Sequence, residues 1–130
     1  MPKNKAKGSN IERELYKKFV ENNYRAVRVA GSGMMENADC DLIAGKKGKG
    51  KYAIEVKSSK IPVKYISKKQ INNFLVFSNI FGLKPILALR FSREEWLFLH
   101  PKSLKSTGKN FMISLEQAKK KGKKFSEFFR

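Results

Sequence analysis

Apolar side chains recur along the chain with two periods, and the switches between them mark the elements. Ile11, Leu15, Tyr16, Phe19 and Val20 return at helical spacing, which predicts a helix capped by Ser9 or Asn10 and ended at Asn22-Asn23. Residues 24–30 alternate and are rich in β-branched side chains, a strand broken by Gly31-Ser32-Gly33. Residues 34–38 read as a loop. Strands follow over 39–44 and 51–58, joined by the glycine-rich hairpin connection Gly45-Lys46-Lys47-Gly48-Lys49-Gly50. Residues 67–81 are helical, with Gly82 as terminator and Pro85 three residues beyond. Strands over 85–91 and 95–99 and a helix over 114–120 complete the pattern; residues 123–129 extend that helix or form a separate turn. The order is helix, three strands, helix, two strands, helix, without an internal repeat. It predicts an α/β fold, a mixed central sheet of five strands flanked by helices. Residues 1–8, with Lys3, Lys5 and Lys7 and no apolar period, read as a flexible basic arm. Residues 9–130 then form a single domain.

Charge changes this picture most. Lys and Arg number 29 against 11 Asp and Glu, a net charge of +18 on 130 residues. So large an excess points to a polyanionic partner, foremost nucleic acid. A membrane is a poor alternative: the longest apolar run, Phe74-Leu75-Val76-Phe77, falls far short of the ~20 residues of a span. The basic start has no apolar stretch behind it, so it does not read as a secretory signal. The single Cys40 allows no intramolecular disulfide and fits a reducing compartment, the cytosol or nucleoid.

Chemistry shows where polar residues break the apolar pattern. Glu12 falls in the middle of the first helix's apolar face, between Leu15 and Tyr16. It either serves a site, since a buried carboxylate needs a cation or donors, or is a helix-start acid favoured by the dipole. In the strand over 51–58, Ala53, Glu55 and Lys57 share one face and Tyr52, Ile54 and Val56 the other. Glu-x-Lys on a strand is weak alone. The hairpin, however, brings Asp41 beside Glu55, with Asp39 as a rival carboxylate on the same face. Such carboxylates suit Mg²⁺, which takes oxygen ligands, lowers the pKa of bound water and screens phosphate charge. Lys57 could then orient water or stabilise developing negative charge. Gln70, in line with Phe74, Phe77 and Phe81, orients Lys57 or a water, or is merely a helix-start residue. Cys40, Phe91, Trp96 and Phe98 read as core or dimer surface, His100 as no general base, and the lysines of 119–124 as a solvated face.

Together these residues resemble the archaeal-type Holliday junction resolvases, members of the PD-(D/E)xK nucleases. Lys7-Gly8-Ser9-Asn10-Ile11-Glu12-Arg13-Glu14-Leu15 is similar to that family's opening helix, and Ala26-Val27-Arg28-Val29-Ala30-Gly31-Ser32 to its first strand and turn. Asp41-Leu42-Ile43-Ala44 and Ile54-Glu55-Val56-Lys57 resemble the catalytic hairpin, with Cys40 standing where the motif's nominal residue is Pro. The resemblance implies a restriction-endonuclease-like fold with Glu12, Asp41 and Glu55 on metal, Lys57 assisting, and Ser32 near the site. It places Arg13 and Arg28 on phosphates, with Lys5, Lys7 and Lys68 as further DNA contacts. It also implies a homodimer that cuts opposed strands of a four-way DNA junction, with no small-molecule substrate. The alternatives are a related nuclease acting on flaps, single strands or RNA, and a non-catalytic basic nucleic-acid-binding module.

Overall fold

The structure, a computed structural model, describes residues 10–29 and 39–129, and carries the backbone of the first helix back to Pro2. Helix α1 (Pro2–Glu21) is followed by strands β1 (Arg25–Arg28), β2 (Leu42–Lys46), β3 (Gly50–Ser59) and β4 (Val63–Ser67). Helix α2 (Lys68–Phe81), strands β5 (Lys84–Phe91) and β6 (Leu97–Leu99) and a short 3₁₀ turn (Pro101–Ser103) come next. Strands β7 (Lys105–Thr107) and β8 (Asn110–Ser114) and helices α3 (Leu115–Lys121) and α4 (Phe125–Phe128) end the chain.

Five strands form the central sheet in the order β1-β2-β3-β5-β6. Only the β3–β5 pair is parallel, with α2 as part of its crossover. Alternation along β3 divides the core between the two sheet faces. Ile54 packs with Leu42, Ile86 and Ala88 under Leu15 and Phe19 of α1. Ala53 packs with Leu87 and Leu89 under Ile71, Phe74 and Phe77 of α2. The C-terminus closes the α1 side: Phe129 stands edge-on to Phe19, Tyr24 and Phe98, with ring centroids 4.8, 5.7 and 4.9 Å away. Gly122 lets α3 turn into this cluster, because a Cβ there would lie 2.7 Å from the Ala118 carbonyl. Gly82 ends α2 in the left-handed conformation (φ 68°) with bonds back to Asn79 and Ser78.

Several expectations are corrected. The helix assigned as α1 starts at Pro2 rather than at a Ser9 or Asn10 cap, so helical backbone runs into the segment read as a basic arm. The side chains of residues 1–9, Lys5 and Lys7 among them, lie outside the described residues, as does the loop with Ser32. A second sheet, β4-β8-β7, was not foreseen at all. Residues 123–129 form a separate helix, α4, rather than a continuation of α3. Phe81, placed in line with the core-facing Phe74 and Phe77, is 62% exposed, its ring stacked on Phe77. Cys40, Phe91, Trp96 and Phe98 are all buried. His100 caps the 3₁₀ turn by accepting from the Lys102 amide.

Candidate active site

Glu55 is the most unusual side chain in the fold: a carboxyl only 5% exposed at the centre of the sheet. It sits on the α2 face because alternation from Ala53 puts it there, on the strand flanked by β2 and β5. Its Oε2 accepts from Gln70 Nε2 at 2.9 Å and faces Lys57 Nζ at 3.2 Å. Ser67 caps α2 by accepting the Gln70 amide at 3.1 Å, and so fixes the turn that delivers Gln70.

Asp41 enters where regular β2–β3 pairing stops, at Leu42–Ile54. Its Oδ2 accepts the Val56 amide at 2.8 Å, taking over a donor that the ladder no longer satisfies. Its carboxyl lines the same cleft as that of Glu55. Burial first, and then the Asp41 charge, push Glu55 up to about 8, against the opposing pull of Lys57. Glu12 reaches the same place from α1, where Arg28 Nη2 donates to its Oε1 at 3.3 Å. Its carboxyl is raised by burial and then by Asp41, while Arg28 and Lys57 oppose the shift. The Arg28 Nε is buried with no hydrogen-bond partner among the described residues. Unlike Glu55, Cys40 is a buried thiol with no acid–base use, raised to about 12 chiefly by burial.

A cleft of about 470 Å³ joins these groups, lined by Glu12, Asp41, Glu55, Lys57 and Gln70. Asp39 also reaches the cleft, but Asp41 is the aspartate whose charge raises Glu55. Of the expected DNA contacts, Arg28 stands at the site. Arg13 is exposed and donates to Asn10 at 3.2 Å. Lys68 does not line the cleft; its ammonium lies over the Phe111 ring, 5.5 Å from the centroid. Lys69 and Asn73 line the cleft instead, and were missed because an exposed polar residue on a helix leaves no mark in the apolar period. Lys64 of β4 was missed as well. Burial and then the nearby Lys57 charge lower its pKa, so two ammonium groups face one region.

The donor set fits a divalent cation of the hard, oxygen-seeking kind. Among the described residues no group of three His, Cys, Asp or Glu side chains is arranged to hold a metal ion, and Glu12 is paired with Arg28. The Asp41–Glu55 pair suffices for an ion that typically uses one or two carboxylates and keeps its waters. The mixed five-stranded sheet flanked by helices, with these carboxyls in a cleft, has the restriction-endonuclease-like fold.

Comparison with known proteins narrows the class. Residues 3–130 match the family described as archaeal Holliday junction resolvase (Hjc). The chain is 36% identical to the crossover junction endodeoxyribonuclease Hjc of Archaeoglobus fulgidus, across 96% of each. It is 41% identical to the corresponding enzyme of Methanocaldococcus jannaschii, across 82% of this chain and 75% of that one. The solved structure of the Archaeoglobus fulgidus Hjc, a Holliday junction resolvase, superposes with a TM-score of 0.83 at 32% identity, covering 92% of this chain and 95% of that one. The chain belongs to the archaeal Holliday junction resolvase family. It is thus a nuclease, and its family implies a divalent metal cofactor.

Proposed function

We propose that the protein resolves four-way DNA junctions inside the cell by Mg²⁺-dependent hydrolysis of two opposed phosphodiesters, working as a homodimer. The observation that carries this reading is buried Glu55, its Oε2 held by Gln70 and Lys57, in one cleft with Asp41 and Glu12. Asp41 and Glu55 would hold the ion, with Glu12 approaching from α1 once Arg28 turns to a phosphate. Bound Mg²⁺ supplies a nucleophilic water at neutral pH and charge to offset that developing on the phosphate. Lys57 then aims its ammonium at the reacting phosphate or the attacking water, while Gln70 keeps Glu55 in place. Arg28, whose buried Nε has no partner among the described residues, would leave Glu12 for a phosphate oxygen.

The dimer follows from the substrate's symmetry, since two equal cuts call for two equal sites related by a two-fold axis. Support comes from α2, where Val76, Ile80 and Phe81 are 58, 76 and 62% exposed. That apolar stripe lies on the helix whose first turn lines the cleft, so a second copy seated there would fix the spacing between two sites. The test is a gel assay with four-way junction, duplex and flap substrates, each with Mg²⁺ or a chelator. Paired nicks on the junction alone, abolished by chelation, are expected. Preferential cutting of flaps, or cutting in chelator, would overturn the reading.

A further inference from the structure

Beyond the cleft, the carboxyl ends of the parallel strands β3 and β5 carry a second concentration of cations. A cavity of about 400 Å³ opens there among Ser58, Lys60, Arg90, Ser92, Arg93 and Glu14. It lies at the same ends of β3 and β5 as Lys57 but on the α1 face, since Lys57 pairs with Leu89 and the next residue, Ser58, pairs with Arg90 and points the other way. The Ser92 amide bonds to the Ser59 carbonyl at 3.0 Å.

The cations divide into two kinds. Arg90 is committed, paired with Glu14 and set over the Trp96 ring at 5.5 Å from its centroid. Glu14 also accepts Trp96 Nε1 at 2.7 Å, which uses up the one acid lining the cavity. Lys60 and Arg93 are uncommitted: among the described residues neither side chain has an ion-pair or hydrogen-bond partner. Arg93 also occupies the left-handed region at φ 66°, where Gly or Asn sits with little strain. A strained arginine at the tip of the β5–β6 turn is hard to explain by folding, and readily explained by an anion it must reach.

We propose that Lys60 and Arg93, on either side of Arg90 in this cavity, form a second phosphate-backbone contact for the nucleic acid held at the cleavage site. The proposal rests on the junction-resolving function and adds to it a grip outside the catalytic cleft. Ser92 and Ser58 supply hydroxyl donors beside the two cations, and the arrangement reads no base edge, so it serves structure-selective binding. Trp96 is the only tryptophan of the chain, and its contacts with Arg90 and Glu14 make its emission a local reporter.

The experiment compares wild type, Lys60→Gln, Arg93→Gly and the double variant in binding a four-way junction across a salt series, with Trp96 emission followed throughout. Each lost contact should lower the log–log salt slope by about 1 and weaken binding on the order of three- to tenfold at moderate salt. The Trp96 response should shrink in the double variant, and Arg93→Gly should keep or raise Tm because it relieves the turn. Lys49→Gln removes the same charge at the far end of β3, about 30 Å away, and should leave slope and emission near wild type. Unchanged slope and emission in the double variant would overturn the proposal, as would an equal emission change with inorganic phosphate at junction concentrations. A wild-type protein that binds no junction would instead overturn the functional reading itself.

Discussion

Glu55→Gln separates the demands of folding from those of catalysis at one atom. In the metal-free protein Glu55 is raised from its usual 4.5 to about 8. A folded carboxyl with a raised pKa binds its proton more tightly than the unfolded chain does. Stability is therefore lost as pH climbs from the unfolded value through the folded one. At about 1.4 kcal/mol per pH unit, the loss by pH 7 amounts to about 3 kcal/mol. Discounting for solvent is unnecessary for a side chain this buried. The glutamine keeps the shape, and its carbonyl can accept from Gln70 and Lys57 as Glu55 Oε2 does. Glu55→Gln should therefore be more stable than wild type by about 3 kcal/mol at pH 7 in chelator, and should converge on it below pH 4.5. Urea unfolding at pH 5, 7 and 8 measures this. Two other titrations are common to both proteins and cancel in the difference. Glu12 is raised by burial and loses stability as pH rises; His100 is lowered by burial and gains it. With Mg²⁺ the order should reverse in function: wild type is stabilised and cuts, whereas the variant gains little and cuts at least ~100-fold more slowly. Parallel pH curves for the two proteins would refute the reasoning, because they would show that Glu55 carries no strain for a cation to relieve.

Glu12→Gln should leave junction binding intact and slow single-turnover cleavage at least ~100-fold, while the half-exposed pair with Arg28 limits the stability change to about 1 kcal/mol; Asp39→Asn should cut at nearly the wild-type rate. Ile80→Asp, a charge on the exposed stripe of α2, should convert a dimer to a monomer in light scattering and uncouple the two nicks; a dimer persisting in this variant removes that face from the interface. Deleting residues 1–8 takes away Lys3, Lys5 and Lys7 and should reduce the salt slope of junction binding by up to about 3. An unchanged slope means that the segment does not touch DNA.

The candidate site residues were legible because each stands where folding alone would place something else. Glu12 interrupts an apolar helix face, and Glu55 takes an inward position on a central strand between Ala53 and Lys57. Asp41 needed only the hairpin, since residues 42 and 54 pair across it as the short glycine-rich connection implied. Asp41 is preferred over Asp39 because Leu42-Ile43-Ala44 follows it directly, and both acids line the cleft in the structure. The second sheet was not legible for a different reason. β4 pairs with β8 across more than forty residues, and β7 has only three residues, all at least partly exposed, so no local alternation marks it. That sheet matters to the site: β4 ends in Ser67, whose cap starts α2 and aims Gln70 at Glu55. The residues that surround the chemistry, Lys64, Lys69 and Asn73, are ordinary surface types at ordinary surface positions, so composition cannot pick them from the other lysines of a chain with net charge +18. Arg93 lies between these cases. Its residue type is unremarked in the sequence, while its backbone angle marks it in the structure. Strain in this fold therefore points to function twice, through a carboxyl that burial disfavours and through an arginine held where a glycine would rest.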